Sequence, residues 1–347
     1  MPGIDYEFHS AFNDNYTTPT RRIVRMLSEN SRTSLTQISS ALELSRRNVK
    51  ERIDKIETAL GIHYTLELNE ELLGASVPHI AVLEFEKKPD YDYLAKLLKK
   101  SYIPQLAFSV KGKNLVYIYA VSASRKDYVY WDNTMSVLLS DYGVDWYSSE
   151  IIHKQMGFVP LRTELIEKLN IDIRIKELLK LLNENSRASI QELSRSIGKH
   201  FNTVTYTFHQ LQQSGYIKRF TLTMDRQEKT SPVAFLLKYV PKKDFEKDAA
   251  KTRLALKSDD KYSLISRYIF TAPLIGSWDY FGMGVFDNYK LGHEHCLSYI
   301  KQVAGRHISN DIFNEIDKVL VGRLPFRSIE TKTDYSLIDW TADTERL

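Results

Sequence analysis

Apolar positions along this chain change their period repeatedly, and each change marks a new kind of element. From Arg21 to Leu27 the apolar residues Ile23, Val24 and Leu27 recur at helical spacing. Ser34 is placed to cap a short helix carrying Leu35, Ile38 and Leu42, and Glu43-Leu44 makes a tight turn. Ser45, with Asn48 three residues on, then caps a longer helix whose inner face is Val49, Ile53, Ile56 and Leu60, and Gly61 ends it. Three helices with a short turn between the second and third predict a helix-turn-helix. Alternation from His63 to Leu68 predicts a strand, and a return strand beyond Leu72 would complete a wing.

Beyond the wing the pattern becomes β-α-β-β-α-β. Strands are expected at His79–Phe85, Pro104–Lys111, Leu115–Val121 and Val144–His153, with helices at Tyr91–Lys100 and Lys126–Tyr142. The whole pattern then repeats. Leu27-Ser-Glu-Asn-Ser-Arg-Thr-Ser-Leu35 recurs as Leu182-Asn-Glu-Asn-Ser-Arg-Ala-Ser-Ile190, an offset of 155 that carries Ile38 onto Leu193, Val49 onto Val204 and Ile53 onto Phe208. Gly157-Phe-Val-Pro-Leu-Arg-Thr163 echoes Gly322-Arg-Leu-Pro-Phe-Arg-Ser328 at an offset of 165, so the second copy has gained ten residues, placed around Lys251 to Lys261. Its helices are expected at Arg174–Leu182, Ser189–Ile197, Phe201–Ser214, Phe245–Leu256 and Tyr289–Val303. Its strands fall at Tyr216–Met224, Val233–Val240, Leu264–Ala272, Asp279–Phe286 and Ile308–Leu320.

The predicted class is α+β: two winged helix-turn-helix domains (20–76 and 172–230) alternate with two ferredoxin-like βαββαβ domains (77–156 and 231–321). A tail at 1–19, a linker at 157–171 and a C-terminal tail at 322–347, with Trp340, complete the chain. A length of 347 residues exceeds what one core organises, which agrees with several domains. No apolar run reaches the roughly 18 residues of a membrane span, the first 20 residues do not read as a secretory signal, and Cys296 is the one cysteine. A cytoplasmic protein without a membrane partner is the expectation.

Charge sharpens the picture through its distribution. The net charge is only +4, yet Tyr16 to Leu66 holds nine Arg/Lys against five Asp/Glu, and Asp172 to Thr230 ten against six. The helical modules therefore carry the positive charge and the remainder is net negative, as a reader of a polyanion requires. In the first module Ser45, Arg46, Arg47, Asn48, Lys50 and Arg52 lie on the outer face of the third helix. Arginine pairs with guanine and asparagine with adenine, so Arg46, Arg47 and Asn48 are candidates for base edges, and Lys50 and Arg52 for bases or backbone. The second module offers His200, Phe201, Asn202, Thr203, Thr205 and Tyr206 instead, with cations at Lys199, Lys218 and Arg219. A solvated charged face is the ordinary alternative for any single helix; the repeated motif, net positive each time, favours double-stranded DNA.

The layout resembles the leucine-responsive/asparagine regulator (Lrp/AsnC) family. Leu27-Ser-Glu-Asn-Ser-Arg is similar to that family's L-x-x-[ND]-[SG]-R start, and Gln213-Ser-Gly-Tyr-Ile-Lys-Arg219 to its step from recognition helix into wing. Gly276-Ser-Trp-Asp-Tyr280 resembles its effector-loop motif G-x-x-D-[YF], whereas the first half has Gly112-Lys-Asn-Leu115 and no acid there. The resemblance implies a transcription regulator, not an enzyme, without a cofactor. Its DNA binding would be modulated by an amino-acid-like effector at Gly276, Trp278 and Asp279, and its βαββαβ sheets would pair within the chain or make a homodimer or higher oligomer. A tight turn satisfied by Asp279 is the structural alternative at that loop. Typical members carry one copy per chain, and this one carries two. Two other readings share the layout: a sirohaem-decarboxylase-like enzyme, which would need histidines and basic residues around a tetrapyrrole, and an architectural co-regulator with one degenerate reader. His79, His153 and His307 do not recur at matching positions in the two halves. His293-Glu-His295-Cys296 has one ligand off the shared helix face and no second cysteine, so no metal site is expected. Asp259-Asp260 shows no acid/base division of environments, and Gly282-Met-Gly284 marks close packing inside a strand.

Overall fold

The computed structural model describes residues 19–154, 157–224, 231–240, 268–286, 288–290, 292–294 and 308–324. The N-terminal tail, the expected helix at Phe245–Leu256 with the Lys251–Lys261 insertion, and most of Tyr289–Val303 lie outside these residues. So do Asp259, Asp260, His295, Cys296, His307 and the tail from 325 onward.

Helices α1 (Pro19–Glu29), α2 (Leu35–Leu42) and α3 (Arg46–Leu60) form the first helical module, and α7 (Ile173–Glu184), α8 (Ile190–Ile197) and α9 (Phe201–Gln213) the second. The caps are as the sequence implies. Ser34 and Ser189 each close a capping box, with Gln37 and Glu192 respectively. Glu43 turns the chain at φ 56° and Gly61 ends α3 in the left-handed region.

The wing differs from expectation. Strand β1 (Ile62–Leu68) is followed by a turn, not by a return strand. Its partner is β6 (Ile217–Met224) of the other module, antiparallel, with Thr65 opposite Thr221 and Tyr64 opposite Leu222. A lone strand leaves a row of N–H and C=O groups unpaired, and each module's strand satisfies the other's. The two modules therefore meet about a local pseudo-two-fold. Across it Ser31 and Ser186, equivalent residues, bond hydroxyl to hydroxyl at 2.6 Å in a buried setting. The Thr65 hydroxyl donates to the Asn183 carbonyl at 3.0 Å, and that of Thr221 to the equivalent Ser28 carbonyl at 2.7 Å.

The remaining strands are β2 (His79–Phe85), β3 (Pro104–Val110), β4 (Leu115–Ala120) and β5 (Val144–Ile151) in the first half. The second half supplies β7 (Ser231–Tyr239), β8 (Tyr268–Gly276), β9 (Tyr280–Phe286) and β10 (Ile308–Val321). They close into one eight-stranded antiparallel barrel in the order β10-β3-β4-β2-β5-β8-β9-β7. The two sheets join at the short β5–β8 seam, Ser149 opposite Gly276 to Ile151 opposite Leu274, and at β10–β3. Pairing of the sheets is thus internal to the chain. Inward side chains fill the barrel: Tyr117 meets Phe108 at 5.3 Å and Phe281 at 6.1 Å, and Phe270 meets Tyr119 at 5.7 Å and Phe281 at 6.0 Å. This core runs without a break into both helical modules. Helices α4 (Tyr91–Lys99) and α5 (Arg125–Leu138) cover the outer face of the first sheet.

Residues 157–171 are not a loose linker. Phe158, Val159 and Leu161 are buried, and α6 (Thr163–Lys168) adds Leu165 and Ile166 to the core. The repeated glycines explain the second echo in the sequence. A Cβ on Gly157 would lie 1.9 Å from the Ile269 carbonyl oxygen, and one on Gly322 1.9 Å from that of Gln105. Each half ends by pressing backbone against a strand of the other half that borders a seam, Gly157 against β8 and Gly322 against β3. Gly282 packs as expected: a Cβ there would meet the Phe235 ring at 2.1 Å.

Candidate nucleic-acid interface

Ser45 has extended backbone angles, and its hydroxyl accepts from the Asn48 amide at 3.2 Å. This fixes the first turn of α3 while Val49, Ile53 and Ile56 are buried. The phase of the helix then presents Arg46, Arg47 and Lys50 outward, at a helix N-terminus whose dipole and free N–H groups favour phosphate. Arg46 has no ion-pair partner among the described residues. The Arg47 side chain is 90% exposed and touches Glu51 at 2.9 Å. Lys50 pairs with Asp54 at 2.9 Å, and that hydrogen bond and charge hold its ammonium above the ordinary lysine range. Asn48 and Arg52 are drawn inward instead. The Arg52 Nε donates to the Asn48 Oδ1 at 2.7 Å and its Nη1 to the Thr20 hydroxyl at 2.7 Å, so this pair braces α3 against α1.

In the second module His200 caps α9, its Nδ1 accepting from the Asn202 amide at 3.3 Å. Phe201, Asn202, Thr203 and Tyr206 are exposed, Thr205 is half-buried with its hydroxyl donating to the Phe201 carbonyl at 2.9 Å, and Lys199 and Lys218 are exposed at either end. Arg219 behaves otherwise. The register sets it opposite Glu67 on β1, and the two form an ion pair at 2.5 Å that ties the ribbon together.

Two cations that sequence reasoning passed over hold the modules to each other. The Arg32 Nη1 donates to the Ser186 and Ala188 carbonyls at 2.7 and 2.9 Å, and its guanidinium lies over the Phe208 and Phe220 rings at 4.9 and 5.6 Å. Burial, then the nearness of Arg187, lowers its pKa. Arg187, its equivalent, lies over Tyr64 at 4.9 Å. The repeat itself was the available signal, since both close the shared Asn-Ser-Arg run.

The candidate effector residues come together at the β5–β8 seam. Gly276 (φ 139°) leaves no room for a Cβ, which would sit 2.8 Å from the Ser148 carbonyl oxygen. The Trp278 amide donates to the Ser149 hydroxyl at 3.1 Å. Asp279 accepts from the Tyr239 amide at 2.7 Å and faces Lys238 Nζ at 3.4 Å, which also donates to the Gly276 carbonyl at 3.1 Å. The cation position beside Asp279 is therefore occupied by the chain's own Lys238, a residue that the sequence reading did not single out. His79 stacks on Tyr128 at 3.8 Å with its pKa lowered by burial, and His153 is lowered likewise; His79 opens β2 opposite Glu150, and His153 follows the same end of β5. Among the described residues no group of three or more His, Cys, Asp or Glu is placed to hold a metal. Among the described residues no helix is long and apolar enough to cross a membrane.

Comparison with known proteins agrees with this architecture. Residues 21–57 match the AsnC-type helix-turn-helix domain and residues 171–218 a winged helix-turn-helix DNA-binding domain. An uncharacterised helix-turn-helix-type transcriptional regulator of Pyrococcus furiosus is 29% identical over 77 residues, 22% of this chain. The match spans about half (48%) of that relative's length. Over nearly the whole chain the fold is similar to the siroheme decarboxylase NirDL, with a TM-score of 0.56 at 8% identity, covering 89% of this chain and 94% of that one. NirDL in co-complex with an iron-uroporphyrin III analogue gives 0.55 at 8% identity, covering 90% and 95%. The chain carries an AsnC-type helix-turn-helix and a winged helix-turn-helix, and its two four-stranded sheets are fused into one barrel in a layout whose fold is similar to that of NirDL.

Proposed function

We propose that the chain is a sequence-specific DNA-binding transcription regulator and not an enzyme. The observation that carries this reading is the first turn of α3: a capped helix N-terminus presenting Arg46 and Arg47 to solvent, within the module that matches the AsnC type. Phosphate neutralisation by such cations supplies affinity, and base-edge contacts add discrimination. The loop at Gly276, Trp278 and Asp279 is the place where an amino-acid-like effector would act, by displacing Lys238 from Asp279. Association of barrels into a dimer or larger assembly belongs to the same reading.

The test is binding of purified protein to genomic fragments across a salt series, beside Arg46→Ala/Arg47→Ala. The expected result is a linear loss of log affinity with log salt, shallower by about two charges, or roughly 1.8 in slope, for the double variant. Absence of binding at low salt, or an unchanged slope, overturns the reading.

A second reading, a tetrapyrrole decarboxylase, is favoured by the NirDL fold. Fold alone does not carry an activity, and the barrel interior is filled by Tyr117, Tyr119, Phe270 and Phe281. A saturable Soret-band shift on titration with iron-uroporphyrin III would promote it.

A further inference from the structure

The offset of 155 that aligns the modules sets Arg46 against Phe201 and Arg47 against Asn202, the first two residues of equivalent helices. All four are exposed. Their chemistries differ in a way that base pairs distinguish. A guanidinium forks onto the O6 and N7 acceptors of guanine, a phenyl ring covers the thymine methyl, and a carboxamide pairs with the N6 and N7 edge of adenine.

From this juxtaposition we infer that the two helices read unlike half-sites: α3 a guanine-containing one through Arg46 and Arg47, and α9 an A·T one through Phe201 and Asn202. The inference rests on the DNA-binding reading above and deepens it.

Three features of α9 support a base-reading role over an inert or protein-docking face. Phe201 is 49% exposed and Tyr206 63%, a poor arrangement for a face that only meets water. The helix, FNTVTYTFHQLQQ, contains no acidic residue to repel phosphate, whereas α3 carries Glu51, Asp54 and Glu57. Exposed Lys199 and Lys218 stand at its two ends, where backbone phosphates would flank a helix in the major groove. The Ser31–Ser186 bond, the Arg32 bridge and the β1–β6 ribbon hold the modules in one relation, so both half-sites belong to one operator.

The experiment uses the full chain and a randomised duplex library of about 30 base pairs. Enrichment should yield an asymmetric site, with guanine in one half and an A·T run in the other. The enriched duplex is then made with deoxyuridine for thymidine, or 7-deazaguanine for guanine, in one half at a time. Deoxyuridine in the A·T half should weaken wild-type binding by about fourfold per contacted methyl, and leave Phe201→Ala indifferent to the exchange. Deazaguanine in the other half should cost about tenfold, and leave Arg46→Ala indifferent. Asn202→Ala provides a second variant on the exposed face of α9.

A palindromic enriched site overturns the inference while leaving the regulator intact. So does wild-type indifference to deoxyuridine, or unaltered binding by both Phe201→Ala and Asn202→Ala, which would mark α9 as a protein-docking face. Failure to enrich any duplex at low salt overturns the DNA-binding reading itself.

Discussion

Arg32 and Arg187 show how one residue type does two jobs in this chain. Where the helix phase turns arginine outward, as at Arg46, it remains available to a ligand; where the repeat places it at the module junction, it becomes internal cement. Replacing Arg32 with alanine removes two hydrogen bonds to carbonyls and the ring contacts with Phe208 and Phe220. A destabilisation of about 2–4 kcal/mol is expected, because the carbonyls lose their donors inside the junction, and denaturant titration measures it. At His79, burial lowers the folded-state pKa below the unfolded value. Both states are neutral above the unfolded pKa of about 6.5, so no stability is lost there. As pH falls below it the unfolded chain takes up the proton first, and stability declines toward the folded pKa. A falling Tm between pH 7 and 5, flattened in His79→Phe, is the expected result.

The elements themselves were largely legible. The helical periods, the Ser34, Ser45 and Ser189 caps and the first half's βαββαβ alternation are local signals, and where residues are described the boundaries fall within about four residues of them. Partnership was not local. Alternation from His63 to Leu68 announces a strand but not its neighbour, and β6 lies some 150 residues away. The inward pairing of Arg52, a candidate for bases or backbone, with Asn48, a candidate for base edges, follows from i,i+4 geometry. α6 was missed because a Pro160-containing stretch reads as a linker, although Phe158, Val159, Leu161, Leu165 and Ile166 form an apolar run. The terminal glycines of each half offer a direct test of element packing. Gly322→Ala places a Cβ against the Gln105 carbonyl at positive φ, and a loss of at least about 2 kcal/mol is expected, read as a lowered Tm in calorimetry.

At the scale of the whole molecule, two halves share one barrel, one strand ribbon and one continuous core. Neither half holds a closed set of strands alone. Residues 1–168 expressed separately would expose β1 and the outer edges of β3 and β5, the edges that associate with other chains. That fragment should self-associate or aggregate in sedimentation velocity, while the full chain should melt in a single transition.

The ribbon that joins the two helical modules has a genetic consequence as well as a mechanical one. When two identical subunits make a dyad, a substitution in the gene appears on both sides at once, and the pair can drift only in step. Here each side has its own codons. The arginine at position 46 and the phenylalanine at position 201, like the open turn at Gly112 and the crowded one at Gly276, differ as two sides can only when one chain encodes both.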